Sequence, residues 1–142
     1  MPVDRQIIEE KLAQLGQAIK LLEEYRGVPR EDFLVDFTIN SAARFNLVLG
    51  IEIIVDIGNH ILSEVYQAHP KEYRDVLEAL GAYDIVPQEF ATENAKMAGF
   101  RNRVIHHYGE VDMKIVYQVL RDAPDIFREF AKAFAEFLDR SD

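Results

Sequence analysis

The sequence predicts an all-α protein, an antiparallel bundle of about five to six helices. Apolar residues recur three and four positions apart through most of the chain, which is the spacing of one face of an α-helix. The β-branched residues fall within these helical spacings, and no segment shows the alternation of apolar and polar residues typical of a strand. We expect residues 1–142 to form a single domain, because the length suits one domain and no linker or repeat interrupts the chain.

The first predicted helix has clear signals at both ends. Asp4 is a suitable N-cap, and Gly27 followed by Pro29 predicts the end of the helix. The apolar stripe between these ends consists of Ile8, Leu12, Leu15, Ile19 and Leu22. This pattern indicates one amphipathic helix of about six turns.

The second helix is predicted over about residues 31–67, with an interruption or kink at residues 40–41. Residues 45–62 are apolar on nearly all sides, which indicates burial in the core and suggests a dimer interface in addition. One polar stripe runs along this segment and consists of Glu52, Asp56, Asn59 and Ser63. The stripe is either a solvated face or part of a polar cleft, where it could hold a basic residue from a later helix.

Four further helices are predicted in the second half of the chain. The third covers about residues 71–80, with Gly81 at its C-terminal end, and the fourth begins at Pro87 and continues to about residue 107. A fifth follows Asp112, and Pro124 is predicted to open the last helix. The last helix has a phenylalanine stripe that consists of Phe127, Phe130, Phe134 and Phe137.

Composition excludes several classes of protein. Twenty-five acidic and sixteen basic side chains give a formal net charge of −9, which argues against a broad nucleic-acid-binding surface. The chain has no cysteine, so disulfides, thiolate nucleophiles and cysteine-based zinc sites are excluded. Its start does not have the pattern of a signal peptide, and Glu52 and Asp56 interrupt the longest apolar run. We therefore expect a cytoplasmic protein that does not span a membrane.

The segment from Arg101 to Tyr108 carries the clearest chemical signal in the chain. Arg101, His106 and Tyr108 follow the order Arg-x4-His-x-Tyr near the end of the fourth predicted helix. A guanidinium can hold a phosphate, and an imidazole can move a proton near neutral pH. Together they can cleave a phosphodiester, and we predict no cofactor. We also predict no metal site, because the adjacent His106 and His107 would point about 100° apart on a helix.

Arg101 stands where the pattern calls for an apolar residue. The stripe that it interrupts consists of Met97, Val104 and Tyr108. A guanidinium in this position needs a partner, which could be Glu52 or Asp56, another subunit or a bound phosphate. Asn102 and His106 are four residues apart and share the adjoining face. Arg101, Asn102 and His106 can therefore converge at one edge of the helix.

A purely structural interpretation of these residues is also open. A histidine near a helix C-terminus is often only a favourable charge against the helix dipole. Arg101 could be a salt-bridge partner, and Tyr108 could be a core aromatic residue with a solvated hydroxyl. The other two histidines, His60 and His69, are isolated in the sequence, and we interpret them as structural or surface residues.

The residues around the motif resemble those of a known family. The run from Met97 to Tyr108, with residues 111–112 and 116–117 after it, is similar to the HepT-like ribonucleases. These are the HEPN-domain toxins of HEPN/MNT toxin–antitoxin modules. The Arg-x4-His core alone is weakly specific, whereas the longer run is much more specific, and Asn102 directly after the arginine also fits the HEPN pattern. The motif itself shows no departure, and the similarity extends over most of the chain.

The resemblance implies both an architecture and a reaction. HepT-like proteins are helical homodimers in which two motifs meet in a cleft and cleave RNA without a metal. By this resemblance Arg101 would bind the scissile phosphate, and His106 would act as general base or acid for attack by the ribose 2′-hydroxyl. Asn102 would orient the site. A minimal nucleotidyltransferase antitoxin would transfer AMP to Tyr108 and silence the toxin.

Two other functions stay open at the level of the sequence. The chain could be a non-catalytic HEPN module that binds nucleotides or a partner protein through the same cleft. It could also be a structural helical dimer in which Arg101 pairs with Glu52 or Asp56. If it is a ribonuclease, its charge of −9 predicts slow, salt-sensitive association with RNA and a narrow range of substrates.

Overall fold

Seven α-helices and one turn of 3-10 helix make up residues 3–141, the part of the chain that the computed structural model describes. The elements are α1 (Arg5–Arg26), α2 (Arg30–Val35), α3 (Phe37–Tyr66), α4 (Tyr73–Ala82), α5 (Gln88–Asn94), α6 (Met97–His106), the 3-10 turn (Tyr108–Glu110) and α7 (Met113–Ser141). The prediction of an all-α bundle is confirmed, and these residues contain no strand. The helix count differs from the expected five to six, because two predicted helices are each divided and two others are joined.

Helix α3 forms the centre of the bundle. It packs against α1, α2, α4, α6 and α7, which explains why its sequence is apolar on nearly all sides. The residues of α3 that are at most 1% exposed are Ala43, Leu47, Ile51, Ile54, Val55, Ile57, Ile61 and Leu62. The helix is long and apolar enough to cross a membrane, but 61% of its most apolar window is buried inside the protein. It is therefore a core helix.

Helix α1 begins and ends where the sequence predicts. The Asp4 carboxylate accepts a hydrogen bond from the Ile7 amide at 3.2 Å, and Gly27 closes the helix with a bond to the Glu24 carbonyl at 3.1 Å. The Asp4 amide also donates to His60 Nε2 at 3.0 Å, which ties the start of α1 to α3. The structural interpretation of His60 agrees with this contact.

The break in the second predicted helix lies at Asp36 and not at residues 40–41. Asp36 is extended (φ −86°, ψ 99°), and its carboxylate caps α3 by accepting from the Ile39 amide at 3.1 Å. Asn40 is buried inside α3, and its side chain donates to the Phe33 carbonyl at 3.1 Å. The prediction was wrong because this asparagine ties α2 to α3, whereas the aspartate supplies the cap.

The fourth predicted helix is also divided, into α5 and α6. The last residue of α5 is the buried Asn94, whose side chain donates to the Phe90 carbonyl at 2.9 Å. The amides of Ala98 and Gly99 then bond to carbonyls three residues earlier, at 3.1 Å each. The break leaves the chemical motif on α6, a helix of only ten residues.

The prediction that Pro124 opens a separate helix was wrong. Pro124 lies inside α7, which is continuous from Met113 to Ser141. Proline removes one backbone hydrogen bond and usually kinks or ends a helix. The apolar register nevertheless continues across it in buried residues, which are Val116, Leu120, Ala123, Phe127, Phe130, Phe134 and Phe137. Burial of this stripe against the other helices keeps the two halves in one helix.

Candidate active site

The segment from Arg101 to Tyr108 runs antiparallel to the first half of α3. Arg101 contacts Glu52, and Tyr108 at the other end contacts Arg44. Arg44 and Glu52 are eight residues apart, so both lie on the side of α3 that faces this segment. The candidate site is therefore a strip of surface between α3, the end of α6 and the 3-10 turn.

Arg101 is held on three sides by its neighbours. Its Nε donates to Glu52 Oε1 at 2.7 Å, and its Nη1 donates to Asn102 Oδ1 at 3.1 Å. The guanidinium carbon also lies 4.4 Å from the centre of the Tyr73 ring, a cation–π distance. The Arg101 side chain is 19% exposed, so the guanidinium is fixed but still accessible.

Glu52 connects this arginine to α4. Its second oxygen, Oε2, accepts a hydrogen bond from the Tyr73 hydroxyl at 2.6 Å. Burial, the hydrogen bond to Glu52 and the negative charge of Glu52 raise the pKa of Tyr73 above its ordinary value, and the Arg101 charge partly opposes them. Tyr73 is therefore a neutral hydrogen-bond donor at physiological pH.

The polar stripe of α3 is divided between two roles. Glu52 pairs with Arg101, so one of the partners considered from the sequence is correct. Asp56 is exposed and pairs with Lys11 of α1 at 3.5 Å, and Asn59 is exposed as well. Glu52 thus belongs to the candidate site, whereas Asp56 and Asn59 lie on a solvated face.

His106 is the last residue of α6, and its side chain is exposed. It is one helical turn after Asn102, which is also exposed, so the two residues share the edge of the helix expected from the sequence. Among residues 3–141, no hydrogen bond or ion pair joins the His106 imidazole to another side chain. The imidazole is therefore available to a ligand or to a second protein chain.

Tyr108 lies outside α6, because the helix ends at His106 and His107 adopts a non-helical backbone (φ −135°, ψ 40°). The expectation that Tyr108 continues the apolar stripe of the helix was therefore wrong. Its side chain is 74% exposed, which also excludes the core aromatic interpretation. The hydroxyl is open to modification or to a substrate.

Two residues near the motif were missed by sequence reasoning. One is Tyr73, described above, and the other is Arg44. Arg44 Nη1 donates to the Tyr108 carbonyl at 3.5 Å, and Nη2 donates to Ser41 Oγ at 3.2 Å. Its Nε is buried and makes no hydrogen bond. The spacing of Arg44 and Glu52 on α3 was the available signal for Arg44, but it has meaning only once the direction of α6 is known.

Large apolar residues are exposed at the end of α2 and near the start of α3. Val35, Phe37 and Phe45 are 83%, 74% and 66% exposed, although all three are large apolar residues. Phe45 is seven residues before Glu52 and so lies on the same face of α3, next to the candidate site. We call Phe37 and Phe45 of α3, together with Val35 at the end of α2, the α3 patch.

A groove of about 540 Å³ lies between α6 and α7, on the side of α6 opposite Arg101. Gly99 and Arg103 line it, and these residues point away from Arg101 by the helical register. Arg101, His106 and Tyr108 do not line this groove. The motif therefore lies on an open surface in a single chain.

No group of three or more His, Cys, Asp or Glu side chains suited to hold a metal ion occurs within residues 3–141. What the strip offers chemically is a fixed guanidinium, an exposed imidazole and an exposed phenol. A guanidinium and an imidazole are suited to binding a phosphodiester and transferring protons during its cleavage.

Comparison with known proteins places this arrangement in a family. The chain is 30% identical to the mRNA nuclease HepT of Shewanella oneidensis over 124 residues, which cover 87% of this chain and 92% of the relative. It is 26% identical to the tRNA nuclease HepT of Aphanizomenon flos-aquae over 132 residues, 93% of this chain and 90% of the relative.

Solved structures agree in fold. A tri-AMPylated HEPN toxin from Shewanella oneidensis, in complex with an MNT antitoxin, matches with a TM-score of 0.83 and 28% identity, over 92% of this chain and 97% of that chain. A cytosolic protein, YutE of Bacillus subtilis, matches with a TM-score of 0.86 over 99% of this chain and 94% of that chain. At 21% identity it supports the fold alone. Residues 15–134 match the family described as Ribonuclease HepT-like, and the chain therefore belongs to this family of HEPN ribonucleases.

Proposed function

We propose that this chain is a metal-independent endoribonuclease toxin that cleaves RNA by attack of a ribose 2′-hydroxyl on the adjacent phosphate. The observation that carries the proposal is the fixed, accessible Arg101 guanidinium on the same short helix as the exposed His106. Membership of a ribonuclease family gives the reaction class, and the two side chains supply the groups that this class of reaction needs.

Each residue has a defined task in the proposed reaction. Arg101 binds the scissile phosphate and stabilises the charge that builds on its oxygens. One His106 takes the proton of the 2′-hydroxyl as its oxygen bonds to phosphorus. The bond from phosphorus to the 5′-oxygen breaks, and a second acid protonates that oxygen. The products are a 2′,3′-cyclic phosphate and a 5′-hydroxyl. Asn102, bonded to Arg101, helps to orient the guanidinium.

We infer that the active protein is a homodimer formed through the α3 patch. Exposed large apolar side chains are a feature of protein interfaces, and three of them occur within residues 35–45. Phe45 lies on the same face of α3 as Glu52, so a second chain packed there would lie beside Arg101. The two copies of His106 could then serve as base and acid across a shared RNA cleft.

We also propose that a minimal nucleotidyltransferase antitoxin silences the protein by AMPylation of Tyr108. The Tyr108 oxygen would attack the α-phosphate of ATP and form an O–P bond, with pyrophosphate as the leaving group. The 74% exposure of Tyr108 supports this proposal, as does the tri-AMPylated Shewanella toxin bound to its MNT antitoxin. The added anionic group would compete with RNA for Arg101 in the cleft. Because RNA and ATP are both needed, we propose a cytoplasmic location.

The decisive experiment combines intact mass with RNA cleavage on one preparation made without the partner enzyme. Bulk tRNA and an mRNA transcript are incubated with the wild-type protein, His106→Ala and Arg101→Ala, with and without EDTA. His107→Ala is the matched control, because His107 is the adjacent histidine and is also exposed. We expect cleavage in EDTA by the wild type and His107→Ala, and loss of about 100-fold or more in the other two variants.

Other outcomes would change the assignment. An unmodified wild-type protein that cleaves neither RNA but binds mononucleotides or a partner protein would be a non-catalytic HEPN module. A mass increase of one or more adenylates would instead assign inactivity to modification, and removal of the Tyr108 hydroxyl in Tyr108→Phe would then prevent the increase. Cleavage that EDTA abolishes would contradict metal independence.

A further inference from the structure

The Glu52 carboxylate joins side chains from three different helices. It lies on α3 and accepts one hydrogen bond from Arg101 of α6 and one from Tyr73 of α4, at 2.7 and 2.6 Å. The pairs are 49 and 21 residues apart in sequence, so only the folded bundle brings them together. Both bonds are short for their type, which is typical of bonds to a charged acceptor.

These contacts determine which end of the guanidinium faces outward. An arginine has five N–H bonds, one on Nε and two on each Nη. Glu52 uses the Nε bond and Asn102 uses one Nη1 bond, while the Tyr73 ring covers one face of the plane. No residue within 3–141 accepts a hydrogen bond from Nη2. Three N–H bonds remain, two on Nη2 and one on Nη1, so the Nη end is the part of the guanidinium that is left to bind a phosphate.

Glu52 is an unexpected neighbour for a phosphate-binding residue. A carboxylate repels an RNA phosphate, so Glu52 beside Arg101 lowers the affinity of the site for phosphate. Its contribution to the site must therefore be something other than phosphate binding. Tyr73 does not add to this repulsion, because its hydroxyl is neutral and donates to the carboxylate. What the pair provides is orientation, since a guanidinium with one fixed plane loses less rotational freedom when it binds the transition state.

We propose that Glu52 and Tyr73 are positioning residues of the ribonuclease site, which hold Arg101 with its Nη end turned toward the scissile phosphate. The inference rests on the proposed function, because it assigns roles within that same site. It assigns Glu52 and Tyr73 to catalysis through Arg101 and not to contact with RNA.

The test is a mutant cycle measured by single-turnover cleavage of bulk tRNA and an mRNA transcript. Glu52→Ala and Tyr73→Phe are made in the wild-type protein and in Arg101→Lys, which retains the charge but loses the planar group. In the wild-type background we expect the cleavage rate to fall about 10- to 100-fold for Glu52→Ala and up to about 10-fold for Tyr73→Phe. In the Arg101→Lys background, both substitutions should have little further effect.

A second readout separates orientation from affinity. Removal of the Glu52 charge should leave RNA binding as tight or tighter, so the KM for RNA should not rise while the maximal rate falls. Asp56→Ala is the matched control, because Asp56 is an acid one turn further along α3 whose partner is Lys11. This variant changes the net charge equally and should retain the wild-type rate.

A third readout does not depend on activity, and it still tests the positioning role if Glu52→Ala folds poorly. In the full-length wild-type protein, the NMR signal of the Arg101 Nε–H should exchange slowly with water because Glu52 holds it. Tyr73→Phe should speed that exchange while the backbone spectrum stays folded. Tyr73→Leu, which also removes the ring, should have a larger effect on both the exchange and the cleavage rate.

Each outcome bears on the inference separately from the proposed function. If the wild type cleaves RNA and needs His106, yet Glu52→Ala and Tyr73→Phe cleave at the wild-type rate, the positioning role is wrong and the ribonuclease assignment stands. Full additivity with Arg101→Lys would also overturn it, because the two residues would then act on general stability. If the unmodified wild type cleaves nothing, the proposed function and this inference both fail.

Discussion

At the scale of single residues, Arg101 and His106 are prepared for their tasks to different degrees. Arg101 has a carboxylate, an amide and an aromatic ring around it, so its position is set before any ligand arrives. The His106 imidazole is exposed, and no hydrogen bond joins it to another side chain within residues 3–141. Its orientation must therefore come from RNA or from a second chain, which agrees with a composite site in a dimer.

Replacing Arg101 should damage cleavage far more than stability. The pair with Glu52 is partly exposed on both sides, so Arg101→Ala should lower the free energy of unfolding by about 1–2 kcal/mol, less than the 3–5 kcal/mol of a broken buried pair. Urea denaturation of both proteins checks this value. A loss of 3–5 kcal/mol would instead favour the purely structural function that the sequence left open.

The hydrogen bond from Tyr73 to Glu52 should stabilise the fold in a pH-dependent way. The folded pKa of Tyr73 is raised above its unfolded value of about 10, so the contribution is fully present below that value and is lost as the pH rises through the folded pKa. The difference in free energy of unfolding between wild type and Tyr73→Phe should therefore be constant from about pH 6 to about pH 9, where the tyrosine is neutral in both states. The difference should shrink at higher pH. Denaturation curves at several pH values measure it, and a difference that grows with pH would contradict the assignment.

The sequence could show that Arg101 needs a partner, because a cation interrupted an otherwise apolar stripe, and it correctly offered Glu52. It could not identify Tyr73. Which residue of α4 meets α3 depends on the path of the six residues between Tyr66 and Tyr73, and no local spacing encodes that path. Tyr108 was misplaced for a related reason, since the helix ended two residues before it.

At the scale of elements, close packing between α3 and α7 fixes the position of α3, the helix that carries Glu52. Gly50 of α3 faces the Phe127 ring so closely that an added Cβ would overlap it. No larger residue fits unless the Phe127 ring or the two helices move. The position of α3, and with it the position of Glu52, therefore depends on this glycine.

Gly50→Ala should destabilise the protein, although alanine is the better helix former. Overpacking against Phe127 costs about 1–3 kcal/mol, which exceeds the gain in helix propensity of about 0.5–1 kcal/mol. Gly16→Ala is the matched control, because Gly16 lies in α1 with nothing near its Cβ position. It should raise the free energy of unfolding by about 0.5–1 kcal/mol. Thermal or urea denaturation of the wild type, Gly50→Ala and Gly16→Ala distinguishes overpacking from the gain in helix propensity. Equal stabilisation by the two substitutions would contradict the close packing of Gly50 against Phe127.

The ends of elements divide into those with local causes and those with tertiary causes. Asp4 caps the start of α1 and Gly27 caps its end, each through hydrogen bonds to the adjacent turn of the helix. Both ends could therefore be predicted from the local sequence. The α5–α6 break lies directly after the buried Asn94, and the continuity of α7 through Pro124 depends on burial of its stripe. Local propensity alone gives the wrong result in both cases, because packing overrides it.

At the scale of the whole molecule, the net charge of −9 repels RNA, whereas a phosphate-binding arginine attracts it. One chain presents Arg101 on an open surface, whereas two chains joined at the α3 patch would present two copies facing a shared cleft. Dimerisation would therefore concentrate positive charge where the protein as a whole repels RNA.

Phe45→Glu should convert the protein to a monomer and abolish cleavage without unfolding it. The substitution puts a charge at a 66% exposed position, so the monomer fold does not depend on it, whereas an apolar interface does. Light scattering should show a mass of about one chain of 16.4 kDa in place of two. Leu21→Glu is the control, since Leu21 is also a large exposed apolar residue but belongs to α1 and not to the patch, so this variant should leave the dimer intact. A wild type that is itself monomeric and active would refute the shared cleft.

The order of the helices has a consequence for synthesis in the cell. Glu52 and Tyr73 emerge from the ribosome before Arg101, and α7, which packs against α1 and α3, emerges last. The ten residues of α6 are too few to be stable as an isolated helix. A growing chain therefore carries the whole motif before it has a bundle to hold it, and its nuclease activity should appear only after α7 has been synthesised and has packed. An unfinished chain would be harmless to the RNA around it.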